Sequence, residues 1–218
     1  MLLRAAGHRW FSSSSAIDSV LLRSLKDHYF EVSKMNPPPK INPPSPFSIM
    51  KGALDNDGPV LRRSYSDNED IQLSVMRLAN LLPSEAQHQP EQGEENGDED
   101  IKQLLLHAHF TRTDRSNSLH FLCALYPDAM GIQAVSIRPR NTNRSPPSFI
   151  GVPSEYQPAS FLDLDAKLRD GLYEYLDERG VNESLFAFLQ AWLYVKDHRH
   201  LMRWLKAVGT FITNRDMA

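Results

Sequence analysis

The carboxyl-terminal third of the chain repeats apolar residues at helical spacing, and this pattern constrains the fold more than any other feature. Leu164 is followed by further apolar residues at steps of three and four, which places them on one face of a helix. Gly180 follows the last of them, as a left-handed C-terminal stop should. Asn182 is suited to cap a second helix and Asp197 a third. The side chains predicted to pack the core or an oligomer interface are Leu168, Leu172, Leu176, Leu189, Trp192, Trp204 and Phe211.

The middle of the chain changes from a helical to an alternating apolar period, which is typical of half-buried strands. Turn signals at 55–59 and 67–70 separate the first of these strands. Short connections between adjacent strands predict an antiparallel meander, and its apolar side needs a cover of helices. The fold class is therefore α+β, with a sheet of about seven strands flanked by helices from both chain ends. The predicted strands are 47–52, 60–66, 71–77, 102–112, 119–126, 131–138 and 149–152.

The amino-terminal segment divides into a leader and a helix. Residues 1–14 contain Arg4 and Arg9, several serines and no acid, which is the composition of a mitochondrial transit peptide cleaved near 9–15. A disordered terminus and a chloroplast leader are the alternatives left open. A secretory signal is disfavoured because no long unbroken apolar segment follows the charges. From Ser15 an amphipathic helix begins a single predicted domain, 15–218, and prolines from residue 37 end that helix.

An acidic loop is predicted at 83–101. It holds seven of the chain's 27 acidic residues and no Lys or Arg, so the rest of the chain has 20 acidic and 24 basic residues. Its polar, Gly- and Pro-containing composition buries too little apolar area to offset the entropy of ordering. We interpret it as a disordered loop, with attraction of basic partners as the functional alternative. The residues on which that alternative depends are Glu94, Glu95, Asp98, Glu99 and Asp100.

Few side chains carry the spacing of a catalytic or metal site. His107 and His109 lie two apart, so on a strand they share a face; we interpret them as solvated, with a metal pair as the alternative. Cys123 alternates with apolar residues and is predicted to be a buried, inert thiol. No phosphate loop, dinucleotide turn or nucleophile elbow occurs, so we expect no enzyme activity and no cofactor. Asp177 and Glu178 are adjacent on a helix, which indicates a solvated face or partners of Arg179.

Two groups of arginines could contact RNA phosphates. They are Arg62–Arg63 and the cluster Arg138, Arg140 and Arg144. Neither has aromatic residues interleaved for base stacking, so a solvated basic surface is the favoured interpretation and an RNA site the alternative. No stretch of the chain is long and apolar enough to predict a membrane-spanning helix.

The run Tyr-Leu-Asp-Glu-Arg-Gly-Val at 175–181, here called the signature segment, resembles the mitochondrial glycoprotein family. This family comprises mitochondrial acidic matrix proteins related to the complement C1q-binding protein. The resemblance covers most of the chain, including the Leu- and Phe-rich helix after the segment and the closing Trp-Leu-Lys motif at 204–206.

The resemblance implies a twisted antiparallel sheet and a ring-shaped homotrimer in the mitochondrial matrix. It also implies a non-enzymatic scaffold or chaperone-like protein that binds other proteins, such as ribosomal or respiratory-chain assembly factors. Its activity would support mitochondrial ribosomes, translation and oxidative phosphorylation. An RNA-binding factor in ribosome assembly is the alternative. Many relatives are far more acidic than this chain, which has a net charge of −3.

Overall fold

The structure is a computed structural model that describes residues 16–36, 40, 42–56, 58–77, 103–140 and 161–213. Its contacts separate two compact units. The larger unit is Pro38–Lys196, and the smaller unit combines Met1–Pro37 with Asp197–Ala218. The predicted leader, the acidic loop and the strand at 149–152 lie outside the described residues.

The larger unit contains a six-stranded sheet in which every neighbouring pair is antiparallel and the spatial order follows the chain. This is the meander predicted from the short turns. The strands are β1 Ser48–Ile49, β2 Leu61–Tyr65, β3 Glu69–Arg77, β4 Leu104–Arg112, β5 Asn117–Leu125 and β6 Met130–Pro139.

The turn between β2 and β3 is shorter than the sequence predicts. Residues 67–70 are polar and were expected to form the turn, but Glu69 and Asp70 pair with Tyr65 and Ser64 in the sheet. The chain reverses instead at Ser66, which has a φ of 55°. A left-handed residue at this point lets β3 start two residues earlier, and this brings Glu69 into the protein interior.

One face of the sheet carries the core, as the alternating pattern predicts. Its register places Leu73 opposite Ala108 and Ala108 opposite Phe121 across β3, β4 and β5. Cys123 lies in this layer and is fully buried, as predicted. The buried apolar residues of this face are Leu61, Ile71, Leu73, Val75, Leu104, Leu106, Ala108, Phe110, Phe121, Cys123, Leu125 and Ile132.

Helices α1 (Ala16–Ser33), α2 (Ala166–Glu178) and α3 (Phe186–Thr213) complete the described elements. A 3-10 turn, Phe161–Asp163, precedes α2, and another, Glu183–Leu185, leads into α3. The Asp165 carboxylate caps α2 by accepting a hydrogen bond from the Lys167 amide at 3.1 Å. Asn182 caps the second 3-10 turn through Ser184 N–H at 3.2 Å.

The prediction of a separate third helix beginning at Asp197 is wrong. Helix α3 is 28 residues long and runs through Asp197 without a break. Asp197 suits a cap but does not interrupt a helix, and no Gly or Pro occurs in α3 before Gly209.

Within the larger unit, α2 and the first part of α3 cover the core face of the sheet. Leu176, Leu185 and Leu189 are fully buried in the same apolar cluster as the strand residues. Burial of each such side chain contributes about 1.5–3 kcal/mol. Within the smaller unit, Val32 and Leu205 are buried, and the Val32 carbonyl lies 2.9 Å from His198 Nε2. None of the described helices is long and apolar enough to cross a membrane.

Candidate functional site

Glu69 is the centre of a buried ionic cluster at the first residue of β3. The residue is 3% exposed. Its Oε1 accepts hydrogen bonds from Arg179 Nε at 2.6 Å and from the Tyr175 hydroxyl at 3.3 Å. Its Oε2 lies 2.8 Å from both Nε and Nη2 of Arg112. Burial raises the pKa of this carboxyl, but the hydrogen bonds and charges of the two arginines outweigh burial and hold the pKa below its usual range.

Arg179 is buried between two tyrosine rings. Its guanidinium carbon lies 3.6 Å from the ring centre of Tyr175 and 4.4 Å from that of Tyr65. Nη1 donates to the Tyr175 carbonyl at 3.1 Å and to Glu178 Oε2 at 3.3 Å. The guanidinium is thus paired, hydrogen-bonded and stacked, which are the conditions under which a buried charge is tolerated.

The other polar residues of the signature segment also hold α2 in place. Glu178 Oε1 accepts a hydrogen bond from the Tyr65 hydroxyl at 2.8 Å, and Asp177 Oδ1 accepts one from Asn182 Nδ2 at 2.8 Å. Gly180 has a φ of 72°, and a Cβ on it would lie 3.0 Å from Arg63 Nη1. The segment therefore anchors α2 to β2, β3 and β4. The sequence left two interpretations of Glu178, a solvated face or a partner of Arg179, and the structure favours the second. It also shows a hydrogen bond from Tyr65 of β2 to Glu178, which the sequence did not predict.

A pocket of about 330 Å³ opens beside this cluster. Its surface is mostly apolar. Tyr175 belongs to both the cluster and the pocket, and so does Arg112. The lining residues are Phe110, Arg112, Arg115, Asn117, Ser118, Leu119, Ile137 and Tyr175.

The second face of the sheet, opposite α2, carries a histidine row made of His107, His109 and His120. The rings of His109 and His120 stack at 4.4 Å between centres, and those of His107 and His120 at 5.1 Å. His107 and His109 share a face, as predicted, but the interpretation of solvated histidines is wrong because the row is buried or half-buried. His120 was missed, although its position opposite His109 follows once the register of β4 and β5 is known.

A hydrogen-bonded chain runs along the histidine row. The Ser118 hydroxyl lies 3.3 Å from the Arg138 carbonyl and 2.8 Å from His120 Nε2. Nδ1 of His120 lies 2.9 Å from His107 Nε2, so the chain joins β5 to β4. The direction of its hydrogen bonds depends on the tautomer of each histidine.

No cluster of three metal-ligating side chains occurs in the described residues, and the stacked histidines are bonded to one another rather than convergent. Cys123 is buried, and desolvation raises its thiol pKa to about 12. A thiol in this state is a poor nucleophile at neutral pH.

The predicted pair Arg62–Arg63 is divided between the two faces of the sheet. Arg62 lies on the second face, where its Nε bonds Asp70 Oδ1 at 2.6 Å. Arg63 points to the opposite face, over the rings of Tyr65 and Phe47. Arg144 lies outside the described residues. Arg138 lies on the second face together with Arg62, since it pairs with Ser118 across β5 and β6 and its charge acts on His109. The RNA-binding alternative stays a prediction.

The residues predicted to pack a core or an interface fall into two groups. Leu176, Leu189 and Trp192 are buried in the larger unit, and Leu172 packs at its margin. The exposed group is Leu168 in the larger unit, with Trp204 (58% exposed) and Phe211 (81% exposed) in the smaller unit. The acidic residues Glu94, Glu95, Asp98, Glu99 and Asp100 lie outside the described residues.

A family model described as "Mitochondrial glycoprotein" (MAM33) matches residues 40–212, which is most of the chain and includes the signature segment. The chain belongs to the mitochondrial glycoprotein family. Two curated relatives are mitochondrial proteins. One is an uncharacterized mitochondrial protein of Arabidopsis thaliana, 30% identical over 95 residues, covering 44% of this chain and 36% of the relative. The other is the mitochondrial acidic protein mam33 of Schizosaccharomyces pombe, 34% identical over 58 residues, covering 27% and 22%. The matches therefore span about a third or less of these relatives.

Solved structures confirm the fold of this family member. A Leishmania major protein described as a sequence homologue of human p32 superposes with a TM-score of 0.64 at 14% identity, covering 90% of this chain and 99% of that one. The Trypanosoma brucei p22 protein superposes with a TM-score of 0.61 at 19% identity, covering 91% and 100%. The antiparallel sheet with amino- and carboxyl-terminal helices is thus the fold of p32-like proteins.

Proposed function

We propose that the protein is a non-enzymatic, oligomeric protein of the mitochondrial matrix that binds other proteins as a scaffold or chaperone-like factor. The observation that carries the proposal is the large amount of apolar surface exposed on both helices of the smaller unit. Such patches on a folded protein mark sites of association.

Helix α3 carries this surface as a stripe. Leu201, Trp204, Val208 and Phe211 recur at steps of three and four, so they share one face. Trp204 and Phe211 are the most exposed of them. Covering a large apolar side chain contributes about 1.5–3 kcal/mol, so association that covers both aromatic residues would be favourable. Helix α1 adds further exposed side chains: Ile17, Val20, Leu21 and Phe30.

The assembly we propose is a ring-shaped homotrimer. Membership of the mitochondrial glycoprotein family supports it, together with the exposed helical surfaces. The relatives' mitochondrial names support the compartment at the level of the organelle, and the acid-free leader at 1–14 supports import. Within mitochondria, the proposed role is support of ribosomes, translation and oxidative phosphorylation through bound assembly factors. The acids of the 83–101 loop would contribute to the choice of basic partners.

The state of the chain's single cysteine is consistent with the proposed non-enzymatic role. Cys123 is buried and its thiol pKa is raised to about 12, which disfavours a thiol-dependent reaction. The ionic cluster around Glu69 is occupied by its own arginines. Each of these polar groups is thus engaged in holding the fold.

Light scattering of the mature chain tests the assembly directly. We expect three times the mass of one chain, and Trp204→Asp with Phe211→Asp should lower that mass because a carboxylate disfavours an apolar contact. The control is Trp192→Asp, which should lower the melting temperature because Trp192 is buried within the core. A wild-type protein that is monomeric at micromolar concentration would refute the trimer.

Affinity purification from intact mitochondria tests the role. We expect ribosomal or respiratory-chain assembly proteins, with fewer basic partners when residues 85–99 are deleted. Recovery of RNA that is lost as salt rises would instead favour the RNA-binding alternative.

A further inference from the structure

The pocket beside the ionic cluster is a half-open depression in the protein surface. Its volume of about 330 Å³ falls within the range of ligand clefts. The rings of Phe110 and Tyr175 meet edge to face, with centres 5.4 Å apart. Leu119 and Ile137 are paired across β5 and β6 and line the same pocket. Phe110 is buried behind Tyr175, so the side chains that the pocket offers to an apolar group are those of Tyr175, Leu119 and Ile137.

Ile137 is not covered by the described part of the chain. It sits on the same side of the sheet as Phe121, where most neighbours are buried, yet it is 56% exposed. Leu119 beside it is half-buried. An apolar side chain in contact with these residues would remove them from water, which stabilises a complex in proportion to the area covered.

The charged side chains that line the pocket are both arginines. Arg112 is held by Glu69, which bonds two of its nitrogens through one oxygen. A guanidinium has five N–H donors, so several remain on a side chain that is 45% exposed. Arg115 is more exposed, and its Nε lies 3.5 Å from the exposed Asp114 carboxylate, a surface pair that contributes little. The pocket thus pairs an apolar cavity with two guanidinium groups, one of them fixed in place.

We propose that this pocket binds a short segment of a partner protein in which an apolar side chain adjoins a carboxylate. The apolar side chain lies against Leu119, Tyr175 and Ile137, and the carboxylate pairs with Arg112 and Arg115. This inference rests on the proposed protein-binding function and specifies the class of partner segment.

Charge argues against the α3 stripe of a second copy as the occupant. Residues 197–213 carry three cations, Arg199, Arg203 and Lys206, against the single acid Asp197. Seating that stripe in the pocket would bring cations towards two arginines, and like charges placed together are unfavourable. An acidic segment of another protein has the complementary charge.

The test uses the full chain and an array of acetylated hexapeptides. Each peptide places Leu, Ile or Phe beside Asp or Glu, and its matched control carries Asn or Gln instead. The tightest acidic peptide is then labelled with fluorescein and titrated by anisotropy. We expect it to bind at least tenfold more tightly than its amide control, and that preference should weaken with added salt.

Two pocket variants and one control decide the assignment. Arg115→Gln should remove most of the preference for acid over amide, and Ile137→Ser should weaken both peptides at least tenfold. Lys51→Gln removes an exposed cation outside the pocket, and it should change neither the preference for acid over amide nor the affinity for either peptide. Equal melting temperatures across the three variants establish that the folds are comparable.

Several outcomes would overturn the proposal. They are no binding, no preference for acid over amide, or binding unaffected by both pocket variants. A fall in the oligomer mass caused by Ile137→Ser would assign the pocket to a contact between copies. Loss of peptide selectivity with an intact trimer would remove this proposal alone and leave the proposed assembly standing.

Discussion

Lowering the pH from 7 to 5 should destabilise the larger unit through the histidine row. Burial, followed by the charges of His109 and Arg138, lowers the pKa of His107 to about 4. Burial lowers that of His120 to about 3, with further contributions from His109, His107 and Arg138. The 2.9 Å contact between His120 Nδ1 and His107 Nε2 agrees with these directions, because a hydrogen bond between the two rings requires one of these nitrogens to keep its lone pair.

The magnitude follows from the difference between the folded and unfolded chains. An unfolded histidine has a pKa of about 6.5, so below that pH the unfolded chain binds more protons than the folded one. The contribution of each histidine to stability is therefore complete above pH 6.5 and is lost as the pH falls towards the folded values. At about 1.4 kcal/mol per pH unit, each contributes about 2 kcal/mol less at pH 5. The two are coupled, so the expected total loss is about 2–4 kcal/mol.

Urea unfolding at pH 7, 6 and 5 measures this effect. The matched control is the double variant His107→Gln/His120→Gln, whose free energy of unfolding should change much less over the same interval. Glu69 does not interfere, because its pKa is lowered and its contribution is lost only below the usual carboxyl range. Equal pH slopes for the wild type and the double variant would refute the reasoning.

Three further predictions concern the signature segment and the core. Gly180→Ala should lower the free energy of unfolding by at least about 1 kcal/mol, because Gly180 has a positive φ and its Cβ would lie close to the Arg63 guanidinium. Gly171→Ala is the control: the space around its Cβ is open, so the substitution should raise the free energy of unfolding by about 0.5–1 kcal/mol. Glu69→Gln should lower the free energy of unfolding by about 3–5 kcal/mol, because the buried Arg179 guanidinium loses its charged partner. Glu178→Gln changes an exposed carboxylate and should lower it by under about 1 kcal/mol. Urea titrations measure each variant of the glycine pair and of the glutamate pair. Cys123 should resist a thiol reagent at pH 8 until the chain unfolds, and rapid reaction of the native protein would contradict its burial.

The sheet and its core face could be predicted because they depend on a local period. The alternation of Leu104, Leu106, Ala108 and Phe110 assigns a face before any partner strand is known, and the structure buries all four. The prediction of a separate helix beginning at Asp197 was wrong because a residue suited to a cap permits a helix to start there but does not require it. Local signals thus locate elements more reliably than they locate the ends of elements.

The ionic cluster could not be predicted because it depends on residues far apart in the chain. Glu69 lies in a run of four polar residues that indicates a turn, and its partners are 43 and 110 residues away. The histidine row has the same character, since His120 joins His107 only through the register of β4 and β5. In both cases the sequence shows the side chains, and only the tertiary structure shows that they meet: strand register for the histidine row, and the packing of α2 on the sheet for Glu69 and Arg179.

Most of the residues that identify the family are therefore distinct from those on which we base partner binding, and Tyr175 is shared by both sets. Arg179 and Gly180 of the signature segment are engaged with the sheet, and their contacts fix where α2 lies. Arg115 and Ile137 lie outside that segment, and both side chains are exposed. For this reason, family membership supports the fold more strongly than it supports any particular partner, and variants of the pocket and of the α3 stripe are the informative ones for function.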